Sequence, residues 1–152
     1  MLRTGIDLIE VERFRSQKPG IRERFLARVY TEAELDYCAG NDQHLAGRFA
    51  AKEAVVKALG TGFADGIWVN DIEVVRAKNG KPSVALSGRA LEVAREQGVK
   101  SISISLSYTH IEAVACAMAI TSDSLKAMER RVDPMRQLAQ QFKEARALLD
   151  DL

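Results

Sequence analysis

From Ser101 to Ser107 the chain alternates strictly, with Ile102, Ile104 and Leu106 on one side and serines on the other. That is the period-two pattern of a strand with one buried face. Ala113–Ile120 repeats it, placing Val114, Cys116, Met118 and Ile120 on one side. The segment Tyr108-Thr109-His110-Ile111-Glu112 between them reads as a hairpin loop. Two shorter apolar runs, Ile72–Val75 and Pro82–Leu86, flank Lys78-Asn79-Gly80-Lys81, whose Asn-Gly step favours a tight hairpin turn. A further strand, Met1–Leu8, opens the chain, with Gly5 permitting a close backbone approach.

Helical spacing accounts for most of the rest. Ile9–Ser16 predicts a short helix stopped by Pro19-Gly20, and Ile21–Val29 predicts another, carrying Arg22, Arg24 and Arg28. Thr31 followed by Glu34 is a capping box opening a helix to about Ala39. The longest helix of the first half spans about Gln43–Leu59, and Gly60-Thr61-Gly62 ends it. Ser87 opens a helix over Gly88–Gln97, closed by Gly98. Asp133-Pro134 reads as an N-cap and first-turn pair for a last helix. Its apolar stripe is Met135, Leu138, Phe142, Ala145, Leu149 and Leu152, fewer than three heptads. The order is α+β: a small, mostly antiparallel sheet packed with a long helix, over a domain of 1–121, followed by a helical extension of 122–152.

Composition narrows the function classes. The 152 residues suit one core. With 22 basic and 21 acidic residues the formal charge is +1, too balanced for a broad nucleic-acid footprint. Two cysteines, Cys38 and Cys116, are too few for a disulfide scaffold and read as reduced thiols. Charges at Arg3, Asp7, Glu10 and Glu12 argue against a signal peptide, and no apolar run approaches the roughly 20 residues of a membrane span. A cytoplasmic enzyme or binding module is expected.

The densest chemistry lies in Gly5-Ile6-Asp7 and in Arg48-Phe49-Ala50-Ala51-Lys52-Glu53-Ala54-Val55-Val56-Lys57. Glu53 and Lys57, four apart, share a helix face. Asp7 and Glu53 form a magnesium-type pair if the first strand runs beside the long helix, since Mg2+ takes one or two carboxylates plus water and phosphate oxygens. The competing reading is a surface helix pair. Arg48 and Lys52, also four apart, read as solvated. Gly60-Thr61-Gly62 follows a helix and so lacks the N-terminal dipole that binds anions; a C-cap is the plain reading. His44 and His110 are isolated from any Ser/His/Asp arrangement. Arg13, Arg22, Arg24 and Arg28 are either a solvated face or a dock for an acidic partner.

Together these residues resemble the holo-[acyl-carrier-protein] synthase family, the small phosphopantetheinyl transferases, from Gly5 to about Ile120. The likeness rests on the two segments just given. In order, it continues through Ala58-Leu59-Gly60-Thr61-Gly62, Asp71-Ile72-Glu73-Val74, Asn79-Gly80-Lys81-Pro82 and the serine-rich strand before Tyr108. The resemblance implies transfer of 4′-phosphopantetheine from coenzyme A to a serine of an acyl carrier protein, releasing adenosine 3′,5′-bisphosphate. It implies Mg2+ on Asp7 and Glu53 (Mn2+ suits the same oxygen ligands) and Lys57 near the pyrophosphate. The base is then Glu53 or a metal-bound water. Coenzyme A contacts are implied for Arg48, Lys57, Gly60, Gly62, Lys81 and Pro82, and for Tyr108 or His110 in place of a histidine that many members carry after the serine-rich strand. Arg13 and Arg24 match positions that meet the carrier protein's acidic helix. The family forms a homotrimer with active sites between chains. The alternative is a non-catalytic homologue that binds coenzyme A or a carrier protein, motivated by Tyr108 and the tail.

Overall fold

The computed structural model describes the backbone of residues 2–150, and the side chains of all these except 131–134, 149 and 150. Met1 of the expected first strand, and Leu149 and Leu152 of the expected stripe, therefore lie outside the described residues or side chains.

A three-stranded antiparallel sheet has the order β1 (Arg3–Glu10), β5 (Glu112–Thr121), β4 (Val99–Tyr108). Asp7 pairs with Ala115, Ile6 with Cys116, and Tyr108 with Ala113. The long helix α4 (Asp42–Leu59) crosses one face. That face carries Ile9, Ala113, Ala115, Ala117, Ala119 and Ile104, all buried. Ala46, Ala50, Ala54 and Ala58 of α4 are buried with them. Small side chains on both surfaces let helix and sheet approach closely. The partition of β5 follows from this: its alanines face the helix, and its larger side chains face the other way. On that other face Ile6 is 62% exposed, Leu8 56%, Val114 38% and Met118 36%.

Around this unit lie α1 (Glu12–Arg15), α2 (Pro19–Val29), α3 (Glu32–Cys38) and α5 (Gly88–Glu96), and a β2 (Ile72–Arg76)–β3 (Pro82–Leu86) hairpin entered through a 3-10 turn at Val69–Asp71. A buried ion pair ties several of them together. Lys52 Nζ lies 2.7 Å from Glu34 Oε2, with neither side chain exposed. It also donates to the carbonyls of Val29 at 2.8 Å and Val69 at 3.4 Å. Glu34 accepts from Val74 N at 2.8 Å and Thr31 N at 3.0 Å, the latter completing the expected capping box. Burial pushes the Lys52 ammonium down, against the pull of Glu34.

Four expectations need correction. The helix expected over Ile9–Ser16 shrinks to α1, because Ile9 and Glu10 pair with Ala113 and Glu112 and extend β1. Pro19 begins α2 instead of stopping a helix, since its missing N–H falls where a first turn needs none. Arg48 and Lys52 are not solvated: Arg48 is 5% exposed and Lys52 fully buried. The last helix, α6 (Ser122–Asp150), starts twelve residues before Pro134, its backbone continuous from Ser122. Thr121 opens it by accepting from Ser124 N at 3.3 Å. The capping role expected of Asp133 falls on an undescribed side chain.

Candidate functional site

Gly5 fixes the first part of the site. A Cβ there would meet the backbone nitrogen of Ala58 at 2.6 Å and Lys57 Cβ at 2.8 Å, and would overlap the Ala54 carbonyl. Only a glycine lets β1 lie this close to α4. Two residues on, Asp7 faces the helix where Glu53 and Lys57 present one face. Lys57 Nζ lies 2.7 Å from Asp7 Oδ1 and donates to the Ile6 carbonyl at 3.0 Å. Burial, then the charge of Asp7, pushes the Glu53 carboxyl up, with Lys57 opposing. The Asp7 hydrogen bond leads in raising the Lys57 ammonium; burial opposes it, and the Asp7 and Glu53 charges assist.

The helix then ends. Gly60 closes α4 with φ 76, and Gly62 follows at φ 60. Both belong to the Lys57 end of the helix, where the macrodipole is negative and favours a cation over a bare anion. Among the described residues no group of three or more His, Cys, Asp or Glu side chains could hold a metal. If Asp7 and Glu53 held a divalent cation, they would supply two carboxylates of the kind that Mg2+ or Mn2+ takes together with water and phosphate oxygens.

A second locus lies at the other edge of the sheet. A cavity of about 280 Å³ is lined by Tyr37, His44, Arg48, Arg76, Pro82 and Tyr108, among others. The Arg48 guanidinium stacks 3.9 Å from the Tyr37 ring centroid and that of Arg76 lies 5.1 Å from it. The His44 ring packs 5.5 Å from Tyr37 and 5.4 Å from Tyr108. Arg48 Nε and His44 Nδ1 are buried without a hydrogen-bond partner. Burial, then Arg48 and Arg76, pulls the His44 imidazole down. Two guanidiniums and two unsatisfied polar atoms around one concavity make an anion site flanked by aromatic surface.

The structure therefore divides the expected residues. Asp7, Glu53, Lys57, Gly60 and Gly62 gather by β1. Arg48, Pro82 and Tyr108 gather by β4, on the far side of β5. Arg48 and Glu53 share α4, but five residues place them about 140° apart around its axis. Lys81 lies exposed in the hairpin turn, beyond the cavity. His110 lies in the exposed β4–β5 loop, 3.5 Å from Gln43 Nε2, and does not line the cavity. Arg13 and Arg24 are exposed on α1 and α2. Sequence reasoning missed Tyr37, His44 and Arg76 as a cluster. The four-residue step from His44 to Arg48 was a visible signal; Tyr37 and Arg76 come from other elements and left none.

Residues 3–119 match the 4′-phosphopantetheinyl transferase superfamily. Within that class, the chain belongs to the holo-[acyl-carrier-protein] synthase family and is an enzyme of it. It is 48% identical to the holo-[acyl-carrier-protein] synthase of Moorella thermoacetica over 128 residues, 82% of this chain and 98% of that one. The Koribacter versatilis synthase is 42% identical, covering 76% of this chain and 94% of that one. The crystal structure of the Helicobacter pylori synthase in complex with coenzyme A superposes with a TM-score of 0.70 at 27% identity, covering 77% of this chain and 99% of that one. The Neisseria meningitidis synthase also gives 0.70, at 30% identity, covering 78% and 98%. These relationships bear out the expected family and α+β fold.

Proposed function

We propose that this chain transfers the 4′-phosphopantetheine arm of coenzyme A to a serine of an apo acyl carrier protein, leaving adenosine 3′,5′-bisphosphate. The observation that carries the proposal is the convergence of Asp7, Glu53 and Lys57 where Gly5 seats β1 on α4. Asp7 and Glu53 would hold Mg2+, which when bound supplies positive charge to the diphosphate under attack. Lys57, raised in basicity and half exposed, offsets the negative charge developing on the departing bisphosphate. Glu53 is the chain's own candidate for taking the serine proton: burial and Asp7 make its carboxylate more basic than an ordinary glutamate.

The cavity at β4 takes the nucleotide end in this reading, with Arg48 as an anion ligand and Pro82 and Tyr108 as walls. The two loci lie on opposite edges of one sheet, and the uncovered face between them carries Ile6, Leu8, Val114 and Met118. Apolar patches of this kind mark association surfaces. A homotrimer formed on this face, with the β1 edge of one copy beside the β4 edge of the next, completes each site from two chains. Residues 1–121 form the transferase unit and 122–152 an addition to it, in keeping with a superfamily match that ends at 119. The chain acts in the cytoplasm, where apo carrier proteins and coenzyme A meet; no helix among the described residues is long and apolar enough to cross a membrane.

The test is direct. The protein is mixed with apo carrier protein, coenzyme A and Mg2+, and the carrier is weighed by mass spectrometry. Gain of the phosphopantetheine arm is expected; no gain across a panel of carriers rejects the proposal. Turnover at enzymatic rates also eliminates a role limited to binding. Glu53→Gln should lose most of the activity while keeping the fold.

A further inference from the structure

His44 stands in the first turn of α4, its backbone N–H donating to the Asn41 side chain at 3.0 Å. Its ring lies between Tyr37 of α3 and Tyr108 of β4, at centroid distances of 5.5 and 5.4 Å. Arg48, one helical turn on, lines the same cavity. Each of these two residues has one buried nitrogen without a hydrogen-bond partner, Nδ1 of His44 and Nε of Arg48. Folded proteins rarely leave buried polar atoms unpaired, so two of them beside one cavity call for a ligand atom between them.

The charges that face His44 are of one sign. Arg48 comes from its own helix and Arg76 from β2, while α3 and β4 bring the phenols of Tyr37 and Tyr108 and β3 brings Pro82. No carboxylate lines the cavity. Asp42, the one acid in the first turn of α4, is engaged by Arg22 at 2.6 Å. Burial and the two guanidiniums therefore favour the neutral imidazole in the free protein. A charged ring would also leave Nδ1–H without an acceptor. Among the groups lining the cavity, the imidazole is the one whose ordinary titration falls near neutral pH.

We propose that His44 takes up a proton when coenzyme A binds: the 3′-phosphate of the nucleotide end bridges the imidazole and Arg48, and a proton from solvent settles on the ring. This rests on the placement of the nucleotide end in this cavity, given above. A phosphate monoester dianion supplies both things that the protein alone lacks there. Its oxygens accept from Nδ1–H and from the Arg48 Nε–H, and its charge offsets that of the imidazolium. The affinity for coenzyme A then depends on pH through one side chain, and falls as pH rises through the titration of the bound imidazole.

The chain has two histidines, so each imidazole can be followed by NMR, with His110 in its exposed loop as the internal control. Coenzyme A should move the titration of His44 to higher pH and leave that of His110 in place. Between about pH 6.5 and 8.5 the phosphate stays dianionic, its second pKa being about 6. Over that range KM for coenzyme A should rise several-fold, one proton setting a ceiling of about tenfold per pH unit. KM for 3′-dephospho-coenzyme A should be higher and flat. His44→Gln keeps a donor without a titrating group and should flatten the profile for coenzyme A. His44→Phe keeps a ring beside Tyr37 and Tyr108 but loses the hydrogen bond to a charged group. It should raise KM for coenzyme A about tenfold or more, with Tm and the KM for the carrier unchanged. A His44 titration that coenzyme A leaves in place, a pH slope that persists in His44→Gln, or equal slopes for coenzyme A and its dephospho form overturns the proposal and leaves the enzymatic reading intact. No transfer by the unaltered protein rejects the enzymatic reading, and the NMR titration, which reads binding without turnover, still decides this inference.

Discussion

Gly5→Ala is the sharpest single test of how the fold makes the site. The residue lies in a strand with ordinary backbone angles, absent from the positive-φ glycines, so the cost is steric. The added methyl would meet the Ala58 nitrogen at 2.6 Å and Lys57 Cβ at 2.8 Å. Two of the three obstructing groups are helix backbone, which cannot swing aside. β1 must lift off α4, and overpacking of this kind costs about 1–3 kcal/mol. At about 2–4 °C per kcal/mol for a domain of this size, Tm should fall by about 2–12 °C. Lifting the strand also carries Asp7 away from Lys57 and Glu53. A displacement of about 1 Å at reacting groups costs about 100-fold in rate, so kcat should fall far more than stability alone explains. Gly20→Ala is the control, since a Cβ there meets nothing within 4 Å and the site is helical; it should be neutral or slightly stabilising. Scanning calorimetry and the transfer assay measure both effects. Unchanged Tm and kcat in Gly5→Ala would refute the idea that glycine contact sets the metal-site geometry.

Removing one member of the buried pair, as Lys52→Met, should cost about 3–5 kcal/mol in denaturant unfolding, while Lys52→Met with Glu34→Leu should recover most of it. In metal-free protein the Glu53 carboxyl titrates above the ordinary glutamate range; an NMR titration should show Asp7→Asn lowering it and Lys57→Met raising it further. Because folding raises this carboxyl, its stabilising contribution is full below the unfolded value and lost as pH rises through the folded one. Glu53→Gln should therefore unfold at higher temperature than the unaltered metal-free protein at neutral pH, and alike in acid. Mg2+ should raise Tm of the unaltered protein by mass action, and by much less in Glu53→Gln. Deleting the chain beyond Ser124 removes exposed Met135, Phe142 and Leu148; light scattering should show a weakened oligomer if that stripe packs between copies, and an unchanged mass discards the idea.

Alternation, short apolar runs with turn chemistry, and helical spacing located every described strand and nearly every helix, because those signals are local to each segment. They misplaced elements where a long-range partner decides. Ile9 and Glu10 suit a helix locally, but a ladder to residues a hundred positions away extends the strand. β5 offered two faces, one of alanines and one of larger side chains, and the alternation alone did not say which the core would take. The core took the alanines, since a helix this rich in alanine packs closely only on small residues. Arg48 and Lys52 looked solvated because four-apart cations on a helix usually are; their burial depends on Tyr37, Glu34 and the Val29 and Val69 carbonyls, which come from elsewhere. The metal pair was legible because Asp7 and Glu53 stand in compact motifs. The cavity was legible only in part, because Tyr37 and Arg76 come to it from separate elements.

These errors share a cause, and it explains how one helix serves two loci. α4 presents Glu53 and Lys57 toward β1, Arg48 and His44 toward β4, and Lys52 into the interior. A rotation by one residue, about 100°, would empty both loci at once. On the side that meets the sheet, Ala46, Ala50, Ala54 and Ala58 offer little shape to distinguish one rotation from another, so packing there fixes that phase weakly. A buried ammonium does distinguish them. Lys52 finds its carboxylate and two carbonyls in a single orientation, and any other leaves a charge unpaired in the core at a cost of several kcal/mol. The pair therefore serves chiefly to hold the rotation of α4, and through Val29 and Val69 it extends that control to α2 and the 3-10 turn at Val69–Asp71. The Lys52→Met, Glu34→Leu double variant separates the two roles. If it keeps the Tm of the unaltered protein but loses transfer activity, the charges set geometry; if it keeps both, packing alone fixes the phase and this reasoning fails.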